Sequence, residues 1–214
     1  MKAILIGATG ATGSDLLQLL LNDVEVESVA IFVRRELQFT HPKLEVHLVD
    51  FNRPEQWRHL VKWEILFSCL GTTLRDAGSK EEQWKVDHEY QYRFAEAARE
   101  NGVETFMLIS SMNASARSPF FYARMKGELE EAVQKLGFPR LMIFRPPSLI
   151  RKGGNRTMER VVVKVIHLLN RMGLLRSMCP MPTERLATAM LRAAKSNESG
   201  SILLEPVDIE KLAQ

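Results

Sequence analysis

Short apolar runs alternate with longer amphipathic stretches through most of this chain. Runs of strand length fall near residues 2–7, 28–34, 44–49, 64–70, 104–110 and 140–145. Between them, apolar residues recur at three- and four-residue spacing near 12–22, 53–61, 82–101, 119–137, 156–172 and 183–195. That is the period of a helix with one buried face. Alternation of this kind, with right-handed crossovers, predicts an α/β fold with a doubly wound, mostly parallel sheet. Asn101-Gly102 and Gly137 supply helix stops ahead of the fifth and sixth strands. After Pro146-Pro147 the alternation fades, leaving two helices, loops and a short strand candidate at Ser201–Leu204. The expectation is one domain over 1–214, with 147–214 forming a small C-terminal cap or side wall that has no independent fold.

The first strand–helix junction carries the clearest chemistry. Ala3, Ile4, Leu5 and Ile6 run into Gly7, and Gly10 and Gly13 follow before the helical pattern of Leu16, Leu17, Leu19 and Leu20. In this context Gly7 allows a tight turn, Gly10 lets backbone approach a pyrophosphate, and Gly13 lets the helix pack close to the sheet. The free amides and positive dipole end of the helix then face the phosphates, with Thr9, Ala11 and Thr12 in the same loop. This is the arrangement of a Rossmann-type dinucleotide site.

The second strand indicates which dinucleotide. An NAD site places a carboxylate about twenty residues beyond the last glycine. Counting from Gly13 reaches Val33, Arg34 and Arg35, with no carboxylate before Glu36. Two guanidiniums suit a 2′-phosphate, so NADP(H) is favoured over NAD(H), the alternative being a solvated charge pair. Asp50-Phe51, past the third strand, is the candidate adenine wall. The fourth strand leaves through Leu70-Gly71-Thr72, where a glycine admits the cofactor backbone or simply turns the chain.

Tyr122 and Lys126 lie four apart in a helical pattern and so share a face. An ammonium beside a phenol favours the phenolate, which fits Tyr122 for proton transfer to or from a carbonyl or alcohol oxygen. Lys126 would also bond the nicotinamide ribose. Ser110-Ser111 ends the fifth strand eleven residues before Tyr122. Ser111 is the preferred donor to the substrate oxygen, with Ser110 turned to packing or to the cofactor.

These motifs in order (GATGATG, VRR, VDF, CLGTT, VDHEY, LISSM, YARMKGELE and FRPPSLI) make the chain resemble the atypical, extended-like short-chain dehydrogenases/reductases. Within them it is most similar to the Tat-interacting oxidoreductase-like subgroup and its bacterial relatives. The resemblance implies an NADP-binding fold. It also implies roles for Thr9 and the glycine loop, Arg34, Arg35, Leu70, Gly71, Tyr122, Lys126 and the stretch from Pro146 to Leu149 beside the nicotinamide. Two departures stand out. No long C-terminal substrate domain is present, and Asp87 occupies a helix position that holds Asn in many relatives. The residues themselves are read as placing Asp87 on an exposed helix face, with its role open.

Bulk composition narrows the rest. The 214 residues are 45% hydrophobic and 26% charged, with a net charge of +3, which makes no case for nucleic acid. Cys69 and Cys179 lack metal or CxxC spacing and read as reduced thiols, and the five histidines show no ligand spacing. The first core strand begins at once, so no signal peptide is expected, and no apolar run suits a membrane span. A cytoplasmic location follows as the expectation. The 156–172 segment reads as an amphipathic basic helix able to meet a protein partner, or as a plain solvated face, and residues 151–154 as a mobile lid. By analogy with related folds, helices 82–101 and 119–137 suggest a homodimer. Two functions compete: an oxidoreductase for a small-molecule carbonyl or alcohol substrate, and an NADP(H)-binding sensor or interaction module with little turnover.

Overall fold

The computed structural model describes residues 1–150 and 179–214. Nine strands are present among them: β1 (Lys2–Ile6), β2 (Ser28–Val33), β3 (Leu44–Leu48), β4 (Ile65–Ser68), β5 (Thr105–Ile109), β6 (Arg140–Phe144), β7 (Leu149–Ile150), β8 (Met181–Pro182) and β9 (Gly200–Leu204). Seven form one parallel sheet in the order β3-β2-β1-β4-β5-β6-β9, while β7 pairs only with β8. The order reverses between β1 and β4, and in such sheets ligands bind at that crevice, outside the carboxyl ends of the strands.

The helices are α1 (Ala11–Asn22), α2 (Pro54–Trp57), α3 (Leu74–Ala77), α4 (Lys80–Trp84), α5 (Tyr90–Glu100), α6 (Phe121–Gln134), α7 (Thr183–Lys195) and α8 (Pro206–Leu212). Side chains alternate across a strand, so each strand feeds both faces of the sheet. On one face Ala3, Leu5, Ile31 and Phe67 meet Leu16 and Leu20 of α1 and Leu186 and Met190 of α7. On the other, Ile4, Ile6, Phe32 and Leu66 meet Trp57 of α2, Phe94 of α5 and Leu129 of α6. Two covered faces explain why the central strands are continuous apolar runs rather than alternating ones.

Three segments differ from the sequence-based expectation. The helix foreseen over 53–61 is α2 followed by a 3-10 turn at Arg58–Leu60. The helix foreseen over 82–101 contains a π-helical turn at Lys85–Glu89, between α4 and α5. Residues 183–212, read as part of a cap, instead supply the α7 and α8 layer and the seventh sheet strand, β9, parallel to β6. Arg140 joins this region to the sheet: its guanidinium donates to the Ala193 and Ala194 carbonyls at the end of α7, where a cation also meets the negative end of the helix dipole. The proposed lid at 151–154 and basic helix at 156–172 lie outside the described residues.

Candidate active site

β1 ends against the exit of β4, and the turn between β1 and α1 is set by close approach. Gly7 has φ +82°, and a Cβ there would sit 2.5 Å from the Cys69 carbonyl. A Cβ on Gly13 would sit 2.0 Å from the Gly7 carbonyl oxygen. Gly13 therefore lies beneath the turn and seats α1 on it, rather than lining the cleft above. Gly10 is the N-cap of α1 and offers no side chain to the helix amides, and the first turn holds no acidic residue. A helix end left without a cap in this way is suited to an anion.

Two chambers open over that helix end and share Gly10, Cys69, Leu70, Gly71 and Thr72. The smaller, about 290 Å³, is bordered by Gly7, Thr9 and Arg34, with Asp76 and Glu82 across from them. These two carboxylates have partners of their own: the Thr73 hydroxyl donates to Asp76 at 2.8 Å, and Lys85 lies 3.5 Å from Glu82. Arg35 is exposed and borders neither chamber. Asp50 and Phe51, expected as the adenine wall, border neither of these two chambers. The Phe51 ring is 3% exposed and packs edge-on against Tyr90 and Phe94, so its apolar surface is spent on the core. The N–H and side-chain amide of Asn52 both donate to Asp50, shaping a local turn and holding its carboxyl below the usual range.

The larger chamber, about 550 Å³, gathers Ser111, Tyr122 and Lys126 with Ala11, Thr12, Pro146 and Leu149. Tyr122, in the first turn of α6, is 42% exposed. Lys126, one turn on, is only 2% exposed; its ammonium donates to the Ile109 carbonyl at 3.4 Å and lies 3.5 Å from Asp87 Oδ1. Asp87 is itself 1% exposed, and its Oδ2 accepts the Thr72 N–H at 2.9 Å. Burial pushes the Asp87 carboxyl up, while the Lys126 charge and the Thr72 N–H pull it back. Asp87 is thus a site residue and not the exposed helix position anticipated. The π-helical turn carries it, and its backbone carbonyl is held by Gln91, which in turn accepts from Ser68, each at 2.7 Å. Irregular turns of this kind are frequent at functional sites.

The two serines at the end of β5 have separate fates. Ser110 is buried and its hydroxyl donates to Glu130. Arg145 grips the same carboxylate through two hydrogen bonds of 3.0 and 2.5 Å, and also reaches Glu205 at 3.2 Å. Ser111 is half-buried and faces the chamber, its hydroxyl donating to the Met112 carbonyl at 3.2 Å. Ser110 is therefore committed to the scaffold, and Ser111 keeps oxygen lone pairs toward the cavity. Besides Asp87, Cys69 and Thr183 are among the lining residues that the sequence did not point to. Cys69 borders both chambers, with burial pushing its thiol well above the usual range. Thr183 donates to Asp15 at 2.6 Å, tying α7 to α1 beside the larger chamber; no local sequence signal links residues 168 positions apart.

Fold and cleft together define a Rossmann-type dinucleotide-binding protein. The chain belongs to the NAD(P)H-binding family, whose profile matches residues 7–171, and it is an atypical short-chain dehydrogenase/reductase. It is 33% identical to "Protein FMP52, mitochondrial" of Meyerozyma guilliermondii over 227 aligned residues, covering 100% of this chain and 96% of that one. Protein HTATIP2 of Rattus norvegicus is 35% identical over 153 residues, 70% of this chain and 63% of that one. Among solved structures, MoeE5 in complex with UDP-glucuronic acid and NAD matches with TM-score 0.73 at 18% identity, over 95% of this chain and 75% of that one. A short chain dehydrogenase family protein from Francisella tularensis matches with TM-score 0.67 at 12% identity, over 97% and 98%. At such identities the structures show the shared fold.

One expectation is overturned here. A cytoplasmic location does not stand, because relatives from several fungi, Saccharomyces cerevisiae and Emericella nidulans among them, are named as mitochondrial proteins. Reduced thiols and ordinary composition are common to more than one compartment, so they carried no discrimination. No helix among the described residues is long and apolar enough to cross a membrane.

Proposed function

We propose that this protein is an NADP(H)-dependent oxidoreductase for a small carbonyl or alcohol, with Tyr122 as its acid/base. The observation that carries the reading is convergence. Ser111 from the end of β5 and Tyr122 and Lys126 from α6 line one chamber with Ala11 and Thr12 of the uncapped α1 turn. The α1 amides would hold the pyrophosphate, Arg34 the 2′-phosphate in the smaller chamber, and Lys126 the nicotinamide ribose. Arg34 is one cation rather than the two expected, but the carboxylates bordering the same chamber have cations of their own, Arg75 3.6 Å from Asp76 and Lys85 3.5 Å from Glu82, which leaves the Arg34 field for a phosphate.

A nicotinamide bound in the larger chamber supplies or takes up the hydride. The chain's own residues then handle the proton. Ser111 turns its hydroxyl from the Met112 carbonyl to the substrate oxygen and fixes its direction, and Tyr122 gives its phenolic proton to that oxygen on reduction or accepts it on oxidation. Half-exposure of Tyr122 gives the phenol a route to solvent for reprotonation. The names of the fungal relatives support a mitochondrial place of action.

The test is turnover of NADPH with a carbonyl panel by the wild type and Tyr122→Phe. The expected result is a loss of about 100-fold or more in kcat, with NADPH affinity little changed, since the ring stays and only the hydroxyl that carries the proton is lost. Full turnover by the Phe variant refutes the assignment. Absence of turnover in a wild type that still binds cofactor supports the sensor reading instead.

A further inference from the structure

We infer that the Asp87 carboxylate tunes which redox form of the nicotinamide cofactor the cleft prefers, drawing it toward the oxidised, positively charged ring. The inference rests on the cofactor reading above and extends it to a residue that reading does not use. Among the described residues lining the larger chamber, Asp87 and Lys126 are the charged ones apart from the ionisable Tyr122 and Cys69. They lie 3.5 Å apart and are both almost fully buried, so neither is screened by water.

Asp87 stands where the two chambers meet. Its Oδ2 is fixed by the Thr72 N–H, and its Oδ1 lies 3.5 Å from where a Cβ on Gly71 would be. Both Gly71 and Thr72 border both chambers. Behind the carboxylate, Gln91 holds the Asp87 carbonyl, and the Gln83 amide donates to the Thr72 carbonyl at 3.2 Å. The charge is therefore held in place by backbone and buried amides.

A lone buried ammonium would disfavour a cationic ring and spare the neutral reduced one. With a carboxylate beside it, the pair is close to neutral and that bias is removed. An amide at the same position would leave the Lys126 charge uncompensated while keeping nearly the same shape. The two redox forms differ by one positive charge on the ring, so a charge change at residue 87 must act on them unequally. A merely structural role for Asp87 would weaken both forms together.

Isothermal titration of NADP⁺ and NADPH into the wild type, Asp87→Asn and Asp87→Glu reads this without any substrate. The expected result is that Asp87→Asn shifts the ratio of the two dissociation constants toward NADPH by about fivefold or more, the effect of unit charges about 4 Å apart even at the dielectric of bulk water. Asp87→Glu, which restores the charge, keeps the wild-type preference. If Asp87→Asn fails to fold, Asp87→Ser, which removes the same charge with a smaller side chain, carries the test and is expected to shift the ratio in the same direction, toward NADPH. An unchanged ratio in a variant that binds both forms overturns the inference and leaves the cofactor reading intact. No binding of either form to the wild type overturns the cofactor reading, and the inference with it.

Discussion

Replacing Gly7 by alanine probes the turn on which the whole cleft depends. Two separate penalties apply at this position. A φ of +82° lies in the left-handed region, which costs an L-residue about 1–2 kcal/mol. The new methyl would also stand 2.5 Å from the Cys69 carbonyl carbon and oxygen, which are backbone atoms of the neighbouring strand exit and cannot rotate away. Relieving that overlap moves the turn or the β4 exit, at a further cost of about 1–3 kcal/mol. Gly102 separates the two effects, since its φ is +84° but nothing lies within 4 Å of its missing Cβ. Gly102→Ala is expected to lose about 1–2 kcal/mol in urea denaturation, and Gly7→Ala about 2–5 kcal/mol. Binding should separate them further. The Gly7 carbonyl accepts the Gly10 N–H at 2.9 Å, so moving the turn moves the α1 end, and NADPH affinity should fall at least about tenfold in Gly7→Ala alone. Equal destabilisation of the two variants, or wild-type NADPH affinity in Gly7→Ala, would refute the reasoning.

Two further outcomes follow from the ionic contacts. Glu130→Gln leaves the Arg145 guanidinium with Glu205 alone and weakens the Ser110 bond; a stability loss of about 3 kcal/mol in urea denaturation is expected, and a loss near zero would show that the network is ornamental. Asp23 is held below the ordinary carboxylate range: burial opposes ionisation, but the bonded Lys195 ammonium at 2.6 Å and the Glu25 N–H at 2.9 Å outweigh it. A depressed carboxyl contributes stability above its unfolded value and loses it as pH falls through the folded one. Wild type should therefore exceed Asp23→Asn by about 0.5–1 kcal/mol at pH 7, the gap closing as pH drops below about 4. A gap that is constant with pH would contradict this.

Much of the fold could be read from hydrophobic pattern because the central strands are buried on both faces and so stay apolar without interruption. β9 was legible as a strand candidate at Ser201–Leu204, but its place in the main sheet was not, because it lies at the sheet edge, beyond a long connection from β6 that breaks the strand–helix rhythm. Within the site, Gly7, Gly10, Ser111, Tyr122 and Lys126 carried local spacing signals, and the structure gathers them at one cleft. Asp87 was missed, although its phase was informative. It precedes Gln91 by four residues and Phe94 by seven, and so shares their buried face. A charge on an apolar face was taken for an exposed one because its partner, Lys126, lies on a different helix. Asp50 and Phe51 follow the edge strand β3, and the Phe51 ring packs against Phe94 of α5.

A crystal structure of the NADP⁺ complex examines the central claim most directly. The account predicts the pyrophosphate over the first turn of α1, the 2′-phosphate at Arg34, and the nicotinamide C4 within a few ångströms of the Tyr122 hydroxyl. A dinucleotide lying elsewhere, or a nicotinamide turned away from Tyr122, would contradict it.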